Sequence, residues 1–452
     1  MNDIAAVAEE TTEAVHSAAF ITNDAVVLGL LMITLAAIFY TSSLKSWKKF
    51  YSVVPALLLC YFIPSLYNTF GLIDGEKSQL YFVATRYLLP TSLVLLTLSI
   101  DLKGILKLGP KALIMFLTAT VGIVIGGPIA LMIFKAVAPS MLGEGEDALW
   151  RGMATISGSW IGGGANQAAM LEIFKPSGSL YSIMIAVDVI VANIWMAFLL
   201  LGAGMYKQVD KAFNADSSAI EDLKKRVEDY RASILKLPTL SDTMKVLGVG
   251  FVVTAIGHFF ADIIATNIQE YITVTKAEVV TIYGTLEAAE ASGDLSTVML
   301  LERASLGSSF FWLIVIATTL GLALSFTRVR KLEGVGASRL GSVMIYVLVA
   351  TIGMHMDVEA IKDYWEFFLL GIIWMLVHVT LLLIVAKIIR APFFFVAVGS
   401  QANVGGAASA PVVASAFSPA LAPVGVLLAV FGYFLGTYAA YGCALLMQWV
   451  SQ

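Results

Sequence analysis

Twelve apolar stretches, most of about 20 residues, divide this chain. They fall at about 25–44, 51–70, 80–100, 111–137, 152–173, 180–206, 243–268, 308–327, 340–356, 365–389, 393–416 and 422–449. A helix rising 1.5 Å per residue crosses a hydrocarbon core of about 30 Å in some 20 residues. No soluble fold hides that many runs. Only 13% of residues are charged and 59% are hydrophobic, with mean hydropathy +0.86, where soluble domains carry about 25% charge. The chain therefore reads as an all-α integral membrane protein, expected in a bacterial inner membrane and in contact with the lipid bilayer. The first residues, "MNDIAAVAEETTEAVH", are acidic and lack the basic region of a cleaved signal, so the first run is expected to stay as a helix. Net charge is −4 with no basic tract, which argues against a nucleic-acid partner. Cys60 and Cys443 both lie in apolar runs and suggest neither a disulfide framework nor a cysteine metal site.

Two runs are unlike the rest. Segments 152–173 and 393–416 are rich in Gly, Ala, Ser and Asn, and each is the fifth run of its half. Three consecutive glycines weaken a helix by roughly 1 kcal/mol each, and polar side chains in lipid need partners. Loop charge tests whether these segments cross. "KSWKK" near 45–49, "DLKGILKLGPK" (101–111), "RVRKLEGVGASR" (328–339) and "KIIR" (387–390) are basic and belong inside. "GLIDGEKSQ" (71–79), "GEGED" (143–147), the acidic loop 263–307 and "DVEAIKDYWE" (357–366) belong outside. If 152–173 crossed, the loop 207–245 with Lys207, Lys211, Lys224, Lys225, Arg226, Arg231, Lys236 and Lys245 would lie outside. A segment that dips in and returns keeps those cations in the cytoplasm.

Both segments thus read as re-entrant hairpins. Each half then has five transmembrane helices plus one hairpin, and the odd number of crossings makes the halves two inverted-topology repeats. The first repeat spans 1–206 with hairpin 152–173. A cytoplasmic linker covers 207–242, where "SSAIEDLKKRVEDY" suggests an amphipathic helix. The second repeat spans 243–452 with an outer insertion at 269–304 and hairpin 393–416. The hairpin sequences align loosely: Gly158-Ser159 meets Gly399-Ser400, Gly163-Gly164 meets Gly405-Gly406, Phe174 meets Phe417 and Pro176 meets Pro419. Broken segments in inverted repeats are the layout of secondary transporters. Packing of small residues between helices would enrich the same residue types.

A polar Gly-Gly motif at the tip of two re-entrant loops resembles the sodium-coupled glutamate and 2-hydroxycarboxylate transporters, over nearly the whole length. The stretch "GSWIGGGANQ" (158–167) is closer to a related group, the domain of unknown function 819 family. The resemblance implies a homodimer with a fixed scaffold and a moving transport domain that carries both hairpins. It points to Ser159, Gly163, Gly164, Asn166 and Gln167 in the first hairpin and to Ser400, Gln401, Asn403, Gly405 and Gly406 in the second. There is one departure. Citrate-type carriers have a cationic residue after the second hairpin, whereas 422–449 contains no Lys, Arg or His, which argues against a multiply charged substrate.

The residues themselves suggest a polar pocket. Oxygens of Ser159, Asn166, Ser400 and Asn403 are hard ligands suited to Na⁺, and half-helix N-termini favour an anionic group. Asp188 lies about eight residues into its helix, roughly 12 Å deep, where an acid costs on the order of 3 kcal/mol. It is read as a Na⁺ ligand together with Asn166 and Asn403, or as a proton carrier, against a purely packing role. Asn193 is a candidate for the same network. Trp160 and Gln401 occupy equivalent hairpin positions and are candidates to line the pocket. His378 reads more as a packing residue than a functional one. Arg86 is expected to snorkel or to pair with an acid. Asp101, Asp357 and His355 sit at helix ends and are expected to be solvated. Ser159 and Ser400 have no base beside them in sequence, so no enzyme is expected. The function expected is Na⁺-coupled symport of a small organic solute, an amino acid or monocarboxylate, by an elevator mechanism, with no cofactor beyond the coupling ion. Proton coupling on the same fold, a channel and a non-transporting scaffold are the alternatives.

Overall fold

The computed structural model describes residues 20–51, 54, 56–75, 77–215, 238–355, 365–418 and 421–452. The expected linker helix within 216–237 and Asp357 lie outside them. Among the described residues there is no β-sheet, only one isolated bridge between Ile21 and Ile73. The fold is all α-helical. Its main helices are α1 (Asp24–Ser43), α2 (Ala56–Thr69), α3 (Leu80–Leu98), α4 (Pro110–Val137), α5 (Leu149–Gly162), α6 (Gly164–Phe174), α7 (Gly178–Gly204), α8 (Leu240–Tyr283), α9 (Ser309–Ser325), α10 (Ala337–Gly353), α11 (Glu366–Ile389), α12 (Phe393–Val404), α13 (Gly406–Phe417) and α14 (Ala422–Ser451).

Local sequence sets the helix starts. Asn23 caps α1 by accepting from the N–H groups of Ala25 and Val26, and Ser177 caps α7 through Leu180. Thr239 and Asp242 form a reciprocal capping box on α8; such side chains take up amide groups that a helix start leaves without partners. Among the described residues, α1, α3, α4, α7, α8, α11 and α14 are long and apolar enough to cross a bilayer. Helices α2, α9 and α10, of 14, 17 and 17 residues, fall on the other three expected crossings but are shorter than a bilayer ordinarily requires. Helix α8 continues into the segment 269–304. It runs unbroken for 44 residues to Tyr283, and only Leu286–Ser292 and Ser296–Arg303 are separate short helices beyond it.

Helices α5 and α6 are a pair that leaves one end of the molecule and comes back to it. The Arg151 guanidinium donates to the Phe174 carbonyl at 2.5 Å, and the Trp150 and Phe174 rings meet at 5.6 Å. Glu146 and Ser177, on either side of the pair, are joined by a backbone bond of 2.9 Å. Helices α12 and α13 form a second such pair, whose far ends meet where the Phe394 and Phe417 rings are 5.3 Å apart. The same end also gathers the Arg330–Asp101 ion pair at 2.5 Å, the bond from Lys111 to the Arg390 carbonyl at 3.0 Å and the bond from the Phe393 N–H to Asp210 at 2.7 Å. Asp101 is therefore buried and paired, contrary to its expected solvation, because Arg330 arrives from a loop 229 positions away. The two helix pairs pack chiefly on α4, α7, α11 and α14, while α1, α2, α3, α8, α9 and α10 pack mainly on one another.

Candidate solute and ion site

The two helix pairs break at glycines because the chain there needs backbone angles that side chains resist. Gly163 has φ 73° and ψ −173°, a region reserved almost entirely for glycine. Gly406 has φ 58°. The breaks face each other: a Cβ on Gly406 would lie 3.8 Å from the Gly163 Cα. Gly163, Gly164 and Gly405 are only partly covered, so the meeting point borders an opening. Gly164 lies beside Ile345 of α10.

A break also strips helix ends of partners. The carbonyls of Ile161, in the last turn of α5, and Ala402, in the last turn of α12, receive no N–H from a following turn of their own helix. Both converge on Gly432 of α14, where an added Cβ would lie 3.0 Å from the first and 3.3 Å from the second. Two helix C-termini, each carrying partial negative charge, thus point at one spot that has no side chain.

Asp188, buried in α7, anchors the first pair. Its Oδ1 accepts from Trp160 Nε1 at 2.6 Å and its Oδ2 from Gln167 Nε2 at 2.9 Å, and the Ser159 side chain also bonds to it. Tyr61 of α2 donates to Gln167 Oε1 at 3.2 Å. The Trp160 ring packs on Trp374 of α11 at 5.1 Å. Every group around the carboxylate is a donor, which is how a buried anion is held. Asn193 does not join this network; its amide donates to the Val189 carbonyl of its own helix at 2.6 Å.

Asn166 and Asn403 follow one pattern. The Asn166 amide donates to the Gly162 carbonyl four residues back at 3.1 Å and to the Tyr433 carbonyl of α14 at 2.9 Å. Its Oδ1 accepts from Thr437, one turn further along α14, at 2.8 Å. The Asn403 amide donates to Gly399, four back, at 2.9 Å and to the Phe116 carbonyl of α4 at 3.2 Å. Its Oδ1 accepts from Thr120, one turn on, at 2.7 Å. Each carboxamide fastens a broken segment to a continuous helix. Asp188, Asn166 and Asn403 have separate sets of hydrogen-bond partners. The Gln401 amide donates to Ser409 at 2.7 Å, while its Oε1 is buried with no partner among the described residues.

His378, read from the sequence as more a packing residue than a functional one, has its partners on two other helices. Its Nδ1 is 3.0 Å from the Ala119 carbonyl and its Nε2 is 2.8 Å from Ser400 Oγ. A carbonyl can only accept, so in the neutral ring Nδ1 carries the proton and Nε2 accepts from Ser400. Trp195 donates to the same Oγ at 2.8 Å. Ser400 does therefore have a base beside it, though Ser400 and His378 are both fully buried. The residues missed in sequence, Tyr61, Thr120, Trp195 and Thr437, carry no local signal, since each acts on a partner far away in the chain.

This fold, with apolar helices wrapped around two glycine-broken pairs and a buried polar core, defines an all-helical integral membrane protein. Residues 29–450 match the family described as "Protein of unknown function (DUF819)", and the chain belongs to that family. It is also similar to the "Uncharacterized membrane protein YjcL" of Bacillus subtilis (strain 168), at 24% identity over 405 residues, covering 86% of this chain and 89% of that protein.

Proposed function

We propose that this protein is a secondary active transporter of a small organic solute, built on two inverted repeats whose re-entrant hairpins are α5–α6 and α12–α13. The observation that carries this reading is the meeting of two glycine breaks, Gly163 and Gly406, from two separate helix pairs. Irregular backbone at membrane depth is tolerated where it lines a cavity, and inverted repeats place their substrate sites at such breaks. The basic loops 101–111, 328–339 and 387–390 share contacts at one end, in keeping with a cytoplasmic side there. The division into a group around the hairpins and a group of α1–α3 and α8–α10 suits an elevator motion, with the second group as the scaffold and dimer contact.

Na⁺ is the proposed coupling ion. The oxygens suited to it are the Ile161 and Ala402 carbonyls and Gln401 Oε1; the ion would offset the charge of two converging helix ends. The shell of donors around Asp188 favours a second reading. Protonation would remove the carboxylate's charge, make one of its oxygens a donor facing donors and weaken both oxygens as acceptors for Trp160 and Gln167, so proton binding would loosen the first hairpin. Uptake into proteoliposomes under an imposed Na⁺ or H⁺ gradient tests both. Concentrative uptake that follows the Na⁺ gradient supports the first, and uptake that follows only the pH gradient supports the second. Downhill flux with single-channel currents in a planar bilayer would replace both with a channel.

A further inference from the structure

Away from the hairpin tips, α3, the end of α6, α8 and the start of α9 border an open cavity of about 430 Å³. Its polar wall holds Arg86, Glu172, Lys175, His258 and Asp262, and its apolar wall includes Phe82, Tyr87, Phe310 and Leu313. The Arg86 backbone is shaped by Pro90, which has no N–H to give the carbonyl four residues back. The chain widens into a π-turn over Ala84–Leu88, and His258 Nε2 takes up the freed Arg86 carbonyl at 2.8 Å. The Arg86 guanidinium lies 4.7 Å over the Phe310 ring and 3.5 Å from Glu172. Tyr81 also donates to Glu172. Arg86 and Glu172 therefore neutralise each other within the wall.

Two charges are left over. Lys175 and Asp262 both line the cavity, and among the described residues neither makes an ion pair. One is cationic, the other anionic, and both are exposed beside an apolar wall, Asp262 on α8 and Lys175 at the cap that ends α6. We propose that this cavity binds a zwitterionic amino acid with an apolar side chain. Its carboxylate would face Lys175, its ammonium Asp262, and its side chain the Phe310–Leu313 wall. The assignment narrows the solute class of the transporter reading and rests on that reading for its physiological meaning, but not for its test. A monocarboxylate would leave Asp262 without a partner, and a plain amine would leave Lys175 without one. The volume falls within the range of small-molecule pockets.

Calorimetry on the purified full-length protein, with no gradient and no transport, supplies that test. L-leucine and L-phenylalanine should bind. The analogues of leucine lacking one charge, 4-methylpentanoate and 3-methylbutylamine, should each bind about tenfold more weakly or worse. Lys175→Ala and Asp262→Ala should each weaken leucine binding by about three- to tenfold. Lys175→Asp combined with Asp262→Lys should restore part of it, which a folding defect would not do. Absence of binding by both amino acids, equal binding of the two singly charged analogues, or no effect of the single variants would each overturn the proposal. Binding without uptake in proteoliposomes would keep this site and remove the transporter reading. Uptake indifferent to both alanine variants would do the reverse.

Discussion

The two hairpins share a plan and differ in charge. The first is tied to α7 by a carboxylate, Asp188, ringed by Trp160, Gln167 and Ser159. The second is tied to α11 and α7 by neutral groups, with Ser400 between His378 and Trp195. A buried carboxylate answers to protons and cations because its hydrogen bonds depend on its ionisation. A hydroxyl held between an imidazole and an indole has no such dependence near neutral pH. The difference ties a response to protonation to the first hairpin, through Asp188, and leaves the second held by groups that stay neutral.

The largest effect expected follows from that contrast. Asp188→Ala leaves several buried donors without an acceptor and should cost about 2–4 kcal/mol, with loss of ion-coupled uptake. Ser400→Ala should cost about 1 kcal/mol and keep coupling. Chemical unfolding of each variant, beside uptake under a gradient, checks this; coupling that survives in Asp188→Ala or vanishes in Ser400→Ala breaks the comparison.

The asparagines give the next effect, and here the hairpins should behave alike. Asn166→Ala and Asn403→Ala each remove three bonds of the same pattern, so each should cost about 2 kcal/mol. Melting temperatures for the pair that differ widely would mean that one fastening matters and the other does not.

Smaller again is the contrast at the breaks. Gly163→Ala forces a methyl group into φ 73°, ψ −173° and should cost about 1–3 kcal/mol. Gly406→Ala, at φ 58° with its Cβ in ordinary contact, should cost about 1 kcal/mol. Equal losses of melting temperature would show that strain is shared evenly.

The smallest effect lies at the base of the second hairpin. Asp210 accepts from the Phe393 N–H, and its second oxygen is buried without a partner among the described residues. Burial raises its pKa above the usual carboxylate range, partly opposed by that N–H. The folded chain therefore holds the proton more tightly than the unfolded chain, and the ionised form costs stability once pH exceeds the folded pKa. Asp210→Asn removes that cost and should raise the melting temperature at about pH 8, with the gain shrinking toward about pH 4. A gain independent of pH would point to packing instead.

Long apolar runs and glycine clusters act over neighbouring residues, so the membrane class, the positions of the helices and the two breaks were legible in the sequence. The burial of Asp188 within an apolar helix was legible for the same reason. Partners across the fold were not. Nothing near Asn166 points to Thr437, 271 positions away, nor does anything near Ser400 single out His378 on the preceding helix. Asn193 looked like a member of the Asp188 network by spacing alone, yet a bond along its own helix claims its amide. The continuation of α8 to Tyr283 was not legible either, because its last turns are polar.

Gly432 holds a place that nothing larger can fill without pressing on both Ile161 and Ala402. The tips of the two hairpins therefore lean on a single point of α14. Whatever displaces that helix by the width of a methyl group is felt on both sides of the molecule together, and neither break can be remodelled while its opposite number stays undisturbed.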